Sequence, residues 1–136
     1  MEFRGFTHSN PDDVDMLLEG PSGATAVLMS DVGGEVNVRR VLFDLSDGGS
    51  QTVPDDGPIG ISGPGLVPHY RLTNVAEVGD ADVFPSPAPE GPYGTSLSVF
   101  NGTDPSGTWK LYVVDDASRH KGQLGDWGIG ISLGAP

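Results

Sequence analysis

The chain has 136 residues, 7 Lys or Arg against 19 Asp or Glu, a formal net charge of -12 and no cysteine. A surface this acidic repels phosphate backbones and anionic lipid headgroups, which excludes nucleic-acid and membrane-surface binding. The lack of cysteine excludes disulfides, thiolate zinc sites and cysteine nucleophiles. The length suits one domain over residues 1–136. No apolar run approaches the roughly 20 residues of a membrane span. The start, Met1 to Gly5, lacks the basic-then-apolar order of a signal peptide, so an exported form is expected to be a processed chain or a piece of a longer one.

Long helical periodicity is absent. Short apolar runs cut by Gly, Pro, Asn and Asp predict strands over Val14–Leu18, Ala24–Met29, Val36–Phe43, Ser96–Phe100, Thr108–Val114 and Leu124–Leu133. This is the pattern of an all-β sandwich or barrel. Pro21-Ser22-Gly23 reads as a tight hairpin turn, and Asp31-Val32-Gly33-Gly34 as the turn after it. From about 46 to 94 the chain is rich in Pro and Gly and shows no alternation. Phe84-Pro85-Ser86-Pro87-Ala88-Pro89 is expected to be extended. A structureless stretch of this length is unusual inside a domain. It is expected to wrap the sandwich edge, anchored by Leu66, Tyr70, Leu72 and Phe84. Gly102, Gly107 and Gly122 mark turns, and Trp109 and Trp127 fall on strand patterns as core residues rather than as a ligand platform. Asn101-Gly102-Thr103 fits both a turn and a glycosylation acceptor.

The three histidines, His8, His69 and His120, are scattered. They have no metal-ligand spacing, and no Gly-x-Ser-x-Gly elbow accompanies them. Serines and carboxylates are plentiful, but nothing singles out a triad or a glycosidase pair. A small hydrolase is therefore the weaker alternative, and a carbohydrate- or cell-surface-binding sandwich module is another.

Gly5 to Gly23 (Gly-Phe-Thr-His, an Asp-containing strand, then Gly-Pro-Ser-Gly) continues to Leu28–Gly34. Phe100 to Asp116 follows with Gly107-Thr108-Trp109, an apolar strand and an Asp-led turn, and Gly122 to Ile131 contains the strand around Trp127. In this order the segments resemble the P domain (P/Homo B domain) of secreted subtilisin-like proprotein convertases and related bacterial exported proteins. The resemblance implies a jelly-roll-like β-sandwich that packs beside a subtilisin-like catalytic domain, supports its folding or stability, is secreted and is not itself an enzyme. The family has further strands before Gly5, whereas only Met1 to Arg4 precede it here. The sheet is therefore expected to lack those strands and to present an open edge suited to self-association.

Asp13 and Asp15 lie two apart on a predicted strand, so their side chains share a face at about 6.6 Å, opposite the core stripe of Val14, Met16 and Leu18. Asp31 closes the following hairpin, and Asp115 and Asp116 follow the apolar run Leu111–Val114. Bound calcium in bacterial P domains makes Asp13, Asp15, Asp31, Asp115 and Asp116 the candidate Ca²⁺ ligands, converging where two sheet ends meet. The alternative is ordinary turn chemistry without a metal, since no EF-hand or nonapeptide motif is present. Asp44, after Val41-Leu42-Phe43, reads as a strand terminator.

Overall fold

The structure, a computed structural model, describes residues 1–75 and 82–134. Within them the strands are β1 (Glu2–His8), β2 (Val14–Glu19), β3 (Thr25–Ser30), β4 (Val38–Leu45), β5 (Gln51–Thr52), β6 (His69–Arg71), β7 (Thr73–Asn74), β8 (Lys110–Asp115), β9 (Gly122–Gln123) and β10 (Asp126–Gly128). Single turns of 3-10 helix span Pro11–Asp13 and Leu97–Phe100. The strands form two sheets. The first runs β10-β1-β4-β6-β5, with β9 also on β1, and the second runs β7-β3-β2-β8.

β1 shows how local backbone chemistry fixes the core. Phe3 and Phe6 lie three apart and would face opposite ways on a regular strand. Gly5, at φ 72, sits in a bulge of the β1–β4 ladder and turns both rings inward. Phe3 stacks on Phe43 at 4.9 Å, and Phe6 meets the same ring edge-on at 6.0 Å. Met16, Leu18 and Leu28 of the second sheet close the core from the other side. The β2–β3 hairpin turns at Gly20 to Ala24: Gly23 N–H donates to the Gly20 carbonyl at 3.0 Å, and Gly23 takes φ 89. This is the three-residue connection ending in a left-handed glycine that hairpins favour.

The second sheet is covered on its outer face as well. Leu17 and Val27 face outward, and Phe84 packs on them with Tyr93, Tyr112 and Val114. Phe84 and Tyr93 meet edge to face at 5.5 Å. Around Phe84 the Pro-rich segment lies on the outer face of this sheet, and Tyr70 and Phe84 are buried anchors while Leu72 is partly buried. Leu66 is not an anchor: it is 95% exposed. Its place is taken by Val53 and Ile59, both fully buried. Lone apolar residues between Pro and Gly carry no periodicity, so the sequence does not reveal which of them turn inward.

Other expectations change. Ser96–Phe100 is not a strand, because Asp47 accepts the Leu97 and Ser98 N–H groups at 2.9 and 3.0 Å and winds the segment into a helical turn. Of Leu124–Leu133 only β10 pairs. Trp109 and Trp127 are half-buried against the core, and Trp109 donates its Nε1–H to the Pro105 carbonyl at 3.0 Å. The first strand is not the open edge: β1 is paired with β4 on one flank and with β9 and β10 on the other.

Candidate metal centre

The register of the second sheet sets four polar residues side by side. Met16 pairs with Met29, so Asp15 and Ser30 are the next cross-strand neighbours, and Ser30 in turn pairs with Asn74 of β7. Asp31 follows Ser30 directly and turns the chain with φ 53, a left-handed conformation that Asp tolerates better than most residues. Asp82 arrives from the segment that Phe84 pins to the outer face, and Asn74 Nδ2 donates to its Oδ2.

Ser30 Oγ lies 2.7 Å from Asp15 Oδ1, 3.0 Å from Asp31 Oδ2 and 2.6 Å from Asp82 Oδ1. A hydroxyl carries one proton and satisfies one acceptor at a time. The Ser30 hydroxyl therefore serves one of the three carboxylates at a time, and three acidic groups converge on it. One ligand atom from each of Asp15, Asp31 and Asp82 falls within 4.8 Å of the others. Calcium–oxygen bonds of about 2.3–2.6 Å allow ligands up to about 5 Å apart across the ion, whereas magnesium's bonds of about 2.0–2.1 Å draw them closer. The donors are all oxygen, which suits a hard cation rather than zinc or copper. Burial pushes the Asp15 carboxyl up to about 7; the Ser30 hydroxyl bond opposes this, and the charges of Asp31, Asp82 and Asp116 add to it.

The five expected aspartates divide. Asp15 and Asp31 come together. Asp116 lies close enough to act electrostatically on Asp15. Asp13 lies in the 3-10 turn rather than on a strand, so the two-residue spacing does not align it with Asp15. Its Oδ1 accepts from Asn10 Nδ2 at 2.8 Å, and its Oδ2 lies 2.7 Å from His120 Nδ1. Asp115 is held by His8, with Nε2 2.9 Å from Oδ2. Asp44 is not a strand terminator: it lies within β4, which runs on to Leu45, and its Oδ2 is 2.9 Å from His69 Nδ1. Each histidine is thus engaged by an aspartate, and Ser30 faces aspartates. Sequence reasoning missed Ser30 and Asp82. The available signal was Phe84: an acid two residues before an anchor is carried onto the sheet that the anchor covers.

The family model of the proprotein convertase P-domain matches residues 90–131. This covers the helical turn at Leu97–Phe100 and strands β8, β9 and β10, and it bears out the resemblance drawn from the second half of the sequence. The family is an accessory, non-catalytic one. No curated protein and no solved structure matches the chain. Among the described residues no helix is long and apolar enough to cross a membrane.

Proposed function

We propose that the chain is a non-catalytic, P-domain-type accessory domain of a secreted protease or other exported protein, and that it is stabilised by Ca²⁺ bound at Asp15, Asp31 and Asp82. The single observation that carries the metal reading is the Ser30 hydroxyl, set against three carboxylates with one proton to give. A cation held between the three converging carboxylates balances their mutual repulsion and offsets the desolvation of Asp15. The accessory role rests on the family match over residues 90–131. Its partner is a subtilisin-like catalytic domain of the parent chain, and calcium acts by favouring the folded form.

Calorimetric titration of the metal-free protein with calcium tests the site. One calcium per chain is expected, with binding lost in Asp82→Asn and retained in Asp13→Asn. Binding that survives Asp82→Asn would overturn the assignment.

A further inference from the structure

Sheet edges are where a β protein guards against unwanted pairing, by short strands, bulges or proline. Among the described residues the edge strands β5, β7, β9 and β10 are two or three residues long. β8 is different. Among the described residues it is an edge strand of six residues, paired with β2 on one flank only, and its register runs without a bulge from Val14↔Asp115 to Glu19↔Lys110. It contains no proline, its centre is Leu111-Tyr112-Val113-Val114, and Val113 is 49% exposed in mid-strand. A shallow groove of about 200 Å³ runs beside it; Val14, Met16, Val113 and Leu124 are among its apolar lining, and the His8–Asp115 pair is part of its polar lining.

The geometry points to β8 as a homodimer edge, pairing antiparallel with β8 of a second copy about a two-fold axis through Val113. This goes beyond the calcium and accessory reading and does not depend on it. The hydrogen-bond phase fits. Asp116 N–H donates to the Asp13 carbonyl at 3.0 Å, so in the β2–β8 ladder the even-numbered residues of β8 bond to β2. The backbone groups of Leu111, Val113 and Asp115 therefore point to the open flank, where a two-fold partner presents the same set. The side-chain parity also fits. Directly opposed residues must share a face, and Val113 opposite Val113 sets inner face beside inner face. Tyr112 then falls opposite Val114 of the second copy on the outer face.

Charge selects this register and the antiparallel sense. Lys110 begins the strand, and Asp115 and Asp116 follow its apolar centre. With Val113 on the axis, Lys110 lies opposite Asp116 of the second copy, and the pair occurs twice. Asp115, which falls opposite Leu111, is already held by His8. A parallel arrangement would set like charges side by side, which is unfavourable.

Sedimentation equilibrium of the 136-residue chain across a concentration series tests the proposal. A monomer–dimer equilibrium is expected, and Val113→Lys, which places like charges on the axis, should weaken it at least about tenfold. Val113→Cys gives a second readout, because the chain has no cysteine of its own. A hydrogen-bonded antiparallel pair spaces Cα atoms by about 5.5 Å, within disulfide range. Val113→Cys should oxidise to a covalent dimer much faster than Leu66→Cys, a control at a fully exposed site. A chain that stays monomeric, a dimer indifferent to Val113→Lys, or equal cross-linking of the Val113 and Leu66 variants would each overturn the proposal.

Discussion

Asp15 is the residue on which the proposed calcium site turns. Its carboxyl has an ordinary value of 3.8 and is pushed up to about 7 in the folded, metal-free chain, chiefly by burial. Between these values the folded state holds a proton that the unfolded state has released. The metal-free protein is therefore expected to lose stability as pH rises from about 4 to about 7, with the contribution fully present below the unfolded value. Denaturant melts in chelator at pH about 4.5 and 7.5 check this, and Asp15→Asn should flatten the difference. Calcium needs the ionised form, so its affinity should fall as pH drops below about 7. Asp13 behaves differently. Its partners are Asn10 and His120, so Asp13→Asn should destabilise the fold by about 1–3 kcal/mol through a weakened buried pair, without removing calcium binding. The sequence made Asp15 and Asp31 legible because one lies on the first strand of a recognisable hairpin and the other closes it. It left Asp13 and Asp115 ambiguous because the histidines that engage them lie 107 residues away in each case.

At the scale of elements, the site depends on a turn and a wrapping segment. Gly33 follows the Asp31 turn with φ 89, and a Cβ there would meet Ile59 Cδ1 at 2.7 Å and Pro11 Cβ at 2.8 Å. Gly33→Ala is expected to destabilise the fold and to weaken calcium binding by displacing Asp31, readable as a paired fall in melting temperature and affinity. Phe84 secures the segment that carries Asp82. Phe84→Ala should cost about 3–5 kcal/mol in denaturant unfolding and reduce calcium affinity, although the ring touches no ligand. The hairpin, the Asp31 turn and the apolar centre of β8 were legible because alternation and turn residues are local signals. β1 was not: Gly5 breaks its alternation, so Phe3 and Phe6 lose the period of a strand while gaining a common face. The helical turn at Leu97–Phe100 was not legible either, because the group that organises it, Asp47, is remote in sequence.

Across the whole molecule, one arrangement relates the acidic composition to the fold. The cluster around Leu17, Val27 and Phe84 covers the outer face of the second sheet, and the same wrapping that buries these residues draws Asp82 to Asp15 and Asp31. On the proposed calcium reading, metal binding and the docking of the Pro-rich segment are coupled in one folding event. On this account calcium stabilises the native state alone, by about 2.7 kcal/mol when the free ion is about a hundredfold above its dissociation constant. For a domain of this size that corresponds to a rise in melting temperature on the order of 10 °C. The most direct measurement is the thermal unfolding of the purified chain at neutral pH in excess calcium and in excess chelator. The account predicts a higher melting temperature in calcium, rising with ion concentration and absent in Asp82→Asn. Coincident melting curves in calcium and in chelator would contradict it.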